Sequence, residues 1–295
     1  MRWYFAIDEQ GAAGEAGDLA KLAVISSRLC PGLEPRLLYH GARGALTEWM
    51  DRHGVMVIDA APPCLDAMAA ATARGTFRAY SLGHWLRLAI PLIDHDAEFV
   101  LYTDCDIAFL RPIDFGAIRP NLFAAGPEFA PDRWDYFNSG VMVLNMAAMR
   151  AVQHGFETVI RTRLDEDNGA HFDDQVALNE AFAGHWSRLD PGLNAKPYWP
   201  HDAGAGILHF HGPKLGGMGA IATGGWNWDD PTAARIGALC DAYPTRYVAW
   251  LSDLAERLQM IDLDTALRLH RLAGQLAVHA RSGAPRTHDL SFMRP

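Results

Sequence analysis

Cysteine is scarce in this chain. Only four occur in 295 residues, Cys30, Cys64, Cys105 and Cys240, and no two form a CxxC pair. Neither a disulfide framework nor a cysteine zinc cluster is expected from that spacing, and reduced thiols in a cytoplasmic setting follow. Long apolar runs are missing too: no stretch approaches the ~20 residues that a membrane span needs, and MRWYFAIDEQ carries no charged-then-apolar leader pattern. Positive charge is in deficit, with Lys+Arg at 26, Asp+Glu at 35 and a formal net charge of −9. That balance argues against nucleic acid as a partner and against bulk attraction to an anionic membrane. An anionic ligand must therefore meet a local cationic site or a bound metal. Peripheral contact with the inner face of a membrane stays compatible with this composition, oligomeric state is not legible, and no internal repeat is present.

What is present suits a soluble globular core, with 49% hydrophobic and 10% aromatic residues. Short apolar runs at 2–8, 35–40, 54–60 and 97–104 read as strands; amphipathic runs at 17–29, 45–53, 64–74 and 79–93 read as helices. This alternation predicts an α/β fold, a mostly parallel sheet with helices on both faces. Farther on, 121–129 reads as an edge strand and 140–146 as a central strand covered on both faces. Residues 151–164 and 173–182 read as helices, the second opened by aspartates that suit a helix N-terminus. A stretch rich in Gly, Pro and Trp covers 191–228, broken by a strand candidate at 206–210; such segments serve as binding loops or lids. From about Thr232 the composition turns helical, 251–281 has helical spacing, and residues 245–295 hold seven arginines against five acidic residues. The expected division is a catalytic domain over 1–231 and a C-terminal helical segment over 232–295.

Asp104 and Asp106 in VLYTDCDIAF (100–109) stand at the end of a buried strand, where open α/β sheets bind ligands. Two residues apart in extended chain, their side chains point the same way, and converging carboxylates repel unless a cation or proton lies between them. A solvated loop with capping aspartates is the plain alternative, and the apolar flanks count against it. Oxygen ligands favour Mg²⁺ or Mn²⁺, which complete their shells with substrate phosphates; a diphosphate-containing substrate follows. In ILHFHGPK (207–214), His209 and His211 share one face of a strand. A strand-end histidine is commonly structural, but here Gly212 permits close backbone approach and Lys214 adds a cation, a set that suits a phosphate beside a metal. One imidazole added to two carboxylates tilts the choice toward Mn²⁺. YFNSGVMVLNM (136–146) gives Asn138 and Ser139 as polar entry to a buried strand. FDDQVALNEAF (172–182) sets Asp173, Asp174 and Gln175 at a helix start, where capping is the ordinary role.

Taken in order, these stretches resemble glycosyltransferase family 8, the retaining nucleotide-sugar transferases related to glycogenin and to bacterial lipopolysaccharide galactosyl- and glucosyltransferases, over roughly residues 2–215. FAID resembles the first strand, whose end holds the uracil, which implies Ala6 and Asp8 as nucleotide contacts. WLRLAIP (85–91) resembles the helix that carries a nucleotide-contacting arginine, here Arg87. LYTDCDIAFL resembles the DxD strand, with Asp104, Cys105 and Asp106 at the donor; FNSGVMVLN resembles the strand entry beside the donor sugar, with Asn138; DDQVALNEAF resembles the helix start that lines the sugar pocket. HFHGPK resembles the motif with the third metal ligand, His209, and with Gly212 and Lys214 at the diphosphate. There are two departures: EQGAAGEAG (9–17) replaces the polar pair and tyrosine that often follow the first strand, and Lys214 comes one residue early, followed by Leu215 and Gly216 in place of Pro-Trp.

The resemblance implies a GT-A type, Rossmann-like mixed sheet flanked by helices, with a C-terminal helical appendage. It further implies a metal-dependent, retaining transfer of galactose or glucose from a UDP-sugar to a cell-envelope glycan or glycolipid. Asp104, Asp106 and His209 are then the ligands of Mn²⁺ (or Mg²⁺), Asp174 binds sugar hydroxyls, and Gln175 stabilises the oxocarbenium-like centre. Two rivals exist. A haloacid-dehalogenase-type phosphatase also sets DxD after an apolar strand, but near the N-terminus and with Thr or Val where Ala108 stands. A non-catalytic sugar-nucleotide-binding protein could keep the fold without turnover.

Overall fold

The computed structural model describes residues 1–77, 82–166, 172–282 and 286–293. In chain order the strands are β1 (Arg2–Asp8), β2 (Glu34–His40), β3 (Met56–Asp59), β4 (Phe99–Thr103), β5 (Ile107–Phe109), β6 (Phe123–Pro127), β7 (Phe137–Asn145), β8 (Ser187–Arg188) and β9 (Ile207–His209). The α-helices are α1 (Glu9–Ala12), α2 (Glu15–Ser26), α3 (Ala45–Arg52), α4 (Leu65–Ala73), α5 (Leu82–Trp85), α6 (Ile90–Ile93), α7 (Met146–Asp165), α8 (Asp174–Ala181), α9 (Leu215–Thr223), α10 (Pro231–Ala242), α11 (Pro244–Leu258) and α12 (Leu263–Ser282).

The main sheet has the order β3-β2-β1-β4-β7-β6-β8. Strands β3, β2, β1 and β4 are parallel, and β7 runs antiparallel between β4 and β6. The sheet is thus mixed, and β4 and β6 end on the same side of it. Successive side chains of a strand leave by opposite faces, and both faces here are apolar. Trp3, Phe5, Leu101, Val141 and Val143 enter one buried cluster, while Tyr4, Val100, Tyr102, Met142 and Leu144 enter another. Burial on both faces is why these strands read as continuous apolar runs.

The structure departs from expectation at several places. β6 is not the outermost strand, because the two-residue β8 pairs with its far side. Within 79–93, residues 79–81 lie outside the described residues, and the remainder is broken: α5 passes into a 3₁₀ turn at Leu86–Ala89 and then α6. Pro91 has no N–H to return to the Arg87 carbonyl, which instead accepts from Ile90 N in the tighter i→i+3 pattern. The glycine-rich part of 191–228 contains α9, whose three glycines had read as loop. The expected helical run at 251–281 is two helices, and Asp262 caps the second by accepting from Thr265 N at 2.9 Å. Helices α10 to α12 pack on the body through a third cluster that joins Leu19, Leu208 and Met218 to Leu239, Trp250 and Leu269. No described helix is long and apolar enough to cross a membrane.

Candidate active site

A cavity of about 390 Å³ opens beyond the carboxyl ends of β1, β4 and β6. Three pairings assemble it. The β4–β7 ladder ends with Asp104 N donating to Gly140 O at 2.8 Å. The short ribbon of β5 and β9 pairs Ile107 with His209, and Phe210 N donates to Asp106 O at 2.8 Å, so residues far apart in sequence share one corner. Helix α8, capped by Asp173 through Val176 N at 2.8 Å, presents Asp174 and Gln175 from the other side.

Asp104, Asp106 and His209 converge with their ligand atoms within 4.8 Å of one another. His209 Nε2 lies 3.3 Å from Asp106 Oδ1 and 4.0 Å from Asp104 Oδ2. On its far side, Nδ1 is 2.9 Å from Asn194 Oδ1, an oxygen that also accepts from Lys196 Nζ at 2.7 Å. That oxygen fixes Nδ1 as the protonated nitrogen and leaves the Nε2 lone pair facing the carboxylates, as a metal-ligating histidine requires. Burial keeps the His209 imidazole below its usual value although Asp106 pulls upward. Gly140 forms the floor: a Cβ there would lie 2.3 Å from His209 Cε1 and 2.8 Å from Asp104 Oδ2. Two carboxylate oxygens, one oriented imidazole nitrogen and a floor without a side chain fit a hard or borderline divalent cation.

Arg87 organises the opposite rim. Its guanidinium donates to Asp104 Oδ1 at 2.7 Å and to Ser139 O at 2.6 Å, lies 4.4 Å over the Tyr102 ring, and is 5% exposed. Its Nε sits 2.8 Å from Asp174 Oδ2 but directs its hydrogen at His84 O, 3.1 Å away, so that buried oxygen has a charge beside it and no hydrogen bond. Burial pushes the Asp174 carboxyl up to about 6 against the pull of Arg87. Burial also opposes ionisation of Asp104 and Asp106, yet Arg87 holds Asp104 below the usual carboxylate range and Lys214 with His209 hold Asp106 well below it. Lys214 Nζ is bonded to Asp106 Oδ2.

The remaining wall joins Asn138, Gln175 and His211, expected from the sequence, to Glu128, Asn194 and Lys196, which were not. Glu128 follows β6 at the same sheet edge as Asp104, and its Oε2 accepts from Asn138 Nδ2 at 2.8 Å and from Gln175 Nε2 at 3.1 Å. Its Oε1 meets His211 Nε2 at 3.0 Å. Burial opposes its ionisation, but His211 above all brings it down to about 2. Gln175 Oε1 accepts from Ser139 N at 2.9 Å, so both ends of that amide are fixed. Lys196 is fully buried, and desolvation lowers it to about 7 in spite of Glu128. A strand-end rule applied to FAAGPE would have found Glu128; no local signal marks Asn194 or Lys196.

Of the expected site residues, Ala6, Asp8, Arg87, Asp104, Cys105, Asp106, Asn138, Asp174, Gln175, His209 and Lys214 all line the cavity. Asp8 is engaged by backbone, its oxygens accepting from Gly11 N at 2.8 Å and Gly83 N at 3.1 Å. Cys105 donates from Sγ to Ala6 O at 3.2 Å, and burial holds its thiol well above the usual range, so it is a packed spacer. Gly212 is not among the lining residues; at φ +101° its Cα faces Leu239 and Tyr247.

No family model matches the chain. Among curated proteins, glucoside xylosyltransferase 1 of Gallus gallus is 34% identical over 84 residues, a match that covers 22% of this chain and only 19% of that protein. Solved structures align far more broadly. The galactosyltransferase LgtC, determined with donor and acceptor sugar analogues, aligns with 82% of this chain and 96% of its own at TM-score 0.54 and 19% identity. The glycosyltransferase GlyE of Streptococcus pneumoniae aligns with 72% of this chain and 55% of its own at TM-score 0.52 and 18% identity. Mouse xyloside xylosyltransferase 1 aligns with 70% and 96% at TM-score 0.50 and 16% identity. This chain therefore shares the fold of these glycosyltransferases, a mixed sheet flanked by helices with further helices at its C-terminal end.

Proposed function

We propose that this protein is a hexosyltransferase that moves galactose or glucose from a UDP-sugar to a glycan or glycolipid acceptor, with retention at the anomeric carbon. The observation that carries the reading is the convergence of Asp104, Asp106 and His209 in the same cavity as Arg87, Asp174 and Gln175. A divalent cation held by the triad, Mn²⁺ by the chemistry of the donor set, supplies positive charge against the diphosphate that leaves. Around it, Ala6 and Asp8 flank the nucleobase and Lys214 exchanges Asp106 for a phosphate oxygen. Arg87 keeps Asp104 ionised and oriented, and its charge beside Asp174 opposes the upward push of burial there.

The sugar lies against α8 in this reading. Asp174, with one oxygen lacking a hydrogen-bond donor, accepts from a sugar hydroxyl. Gln175 is held between Ser139 N and Glu128, which sets its amide against the anomeric centre. Glu128 stays ionised and puts a negative charge behind that amide, which favours positive charge developing at the sugar in a same-face transfer. The catalytic portion corresponds to 1–231 and the helices from 232 onward close its back. A cytoplasmic location and a cell-envelope product accompany this proposal.

The experiment is a panel of nucleotide sugars incubated with the full chain and Mn²⁺, read as nucleoside diphosphate released into water. Release from UDP-galactose or UDP-glucose supports the reading. Release of inorganic phosphate from simple esters points to a phosphatase, and donor binding without release points to a non-catalytic binding protein; either result contradicts it.

A further inference from the structure

We infer that a second groove, between the segment before β7, the outer side of α8 and β8, binds the part of an acceptor glycan that extends beyond the unit receiving the sugar. The inference rests on the glycosyltransferase reading above and names a site for its acceptor. The groove encloses about 600 Å³ and is lined by Trp134, Tyr136, Trp186, Arg188, Val176 and Glu180, among others. Trp134 and Trp186 are half-buried, with ring centroids 6.0 Å apart and planes 36° apart, so each indole is held by protein while part of it faces the groove. The Arg188 guanidinium lies 4.9 Å over the Trp134 ring. Among the described residues no carboxylate pairs with it, so its donors are open to a ligand.

This is the chemistry of saccharide recognition. A pyranose offers an apolar face of C–H groups and a rim of hydroxyls, which matches indole surface bordered by a planar multi-donor cation. The walls are set before any ligand arrives. Trp186 packs on Phe137 at 5.0 Å, Glu180 is held by Arg163 at 3.0 and 3.1 Å, and Asn179 is committed to both backbone groups of Phe137. Asp135 and Glu180 are each paired with an arginine, which leaves Arg188 as the one cation among the described lining residues, too little for a polyanionic nucleotide and suited to a neutral sugar.

Continuity with the catalytic cavity decides between an acceptor subsite and an unrelated patch. Tyr136 lines the groove, and Gln175, whose side chain draws the Tyr136 hydroxyl down against the upward push of burial, lines the cavity. Helix α8 gives Asp174 and Gln175 to the cavity and Val176 and Glu180 to the groove. A glycan whose terminal hydroxyl reaches the donor sugar can therefore lay its next units along α8 onto the indoles.

The test uses the full chain with UDP and Mn²⁺ and a panel of neutral oligosaccharides of increasing length, with binding followed by tryptophan fluorescence and by competition. Longer members should bind more tightly than monosaccharides. Trp134→Leu and Arg188→Ala should each weaken that binding by about fivefold to tenfold, with donor hydrolysis into water unchanged. Two outcomes overturn the inference: binding that both variants retain in full, or a wild-type chain that holds no oligosaccharide better than its monosaccharide. Absence of donor hydrolysis in the wild type contradicts the glycosyltransferase reading instead, and the variant-dependent binding reports on the groove independently of it.

Discussion

The two walls of the cavity are built in opposite ways. On the Asp104–Asp106–His209 wall, like charges are crowded together and kept ionised by Arg87 and Lys214, with the histidine Nε2 lone pair left facing them. On the Glu128–Asn138–Gln175 wall, a single carboxylate is surrounded by amides and His211 with its hydrogen bonds made internally. The first wall turns carboxylate oxygens and an imidazole lone pair toward one point, whereas the second spends its polar groups on one another. In the transfer reaction proposed above, the first wall would meet the departing charge and the second would hold the sugar in one orientation, and this difference suits that division.

The comparison breaks most directly at the first wall. Asp106→Ala should lower donor turnover by about a thousandfold or more, and Gly140→Ala should approach that loss, since its methyl occupies the space between His209 and Asp104; nucleoside diphosphate release with matched folding by circular dichroism is the measurement. At the second wall, Gln175→Ala should lower turnover by about a hundredfold while changing the donor KM little, a split that steady-state kinetics reads. A raised KM with turnover unchanged would mean that Gln175 merely binds.

Asn194→Ala joins the walls, because Asn194 orients His209 while its amide nitrogen donates to Asn138 Oδ1 at 2.9 Å. Its expected effect is about tenfold weaker metal affinity, with saturating metal restoring turnover. The smallest effect concerns acid. Glu128 has a depressed folded-state value of about 2, so the stability it contributes is present above its unfolded value and is lost as pH falls toward 2. Urea midpoints should decline more shallowly between pH 5 and 3 in Glu128→Gln than in the wild type, with the difference reaching about 1 to 2 kcal/mol.

How much was legible differs between the walls for a physical reason. Asp104 and Asp106 announce themselves locally, as charges at the end of an apolar run, and HFH shows a shared strand face. Glu128 obeys the same strand-end rule, but applying it requires knowing that β6 runs parallel to β4, which is topology and not local pattern. Strand β9 falls within the strand candidate at 206–210, but its partner β5, three residues long, is too short for periodicity to reveal. Helix α9 was hidden by Gly216, Gly217 and Gly219. Gly217 is there because a Cβ would come within 2.9 Å of Trp226, a long-range contact that composition cannot express. Lys196 reads as a surface residue in sequence and is fully buried under Trp199.

The central claim, that the first wall is a cation site, is tested most directly by titrating the full chain with Mn²⁺ and following free ion by electron paramagnetic resonance. The account predicts one bound Mn²⁺ per chain, lost in Asp106→Ala and kept in Gln175→Ala. Binding that is absent from the wild type, or indifferent to Asp106→Ala, contradicts it.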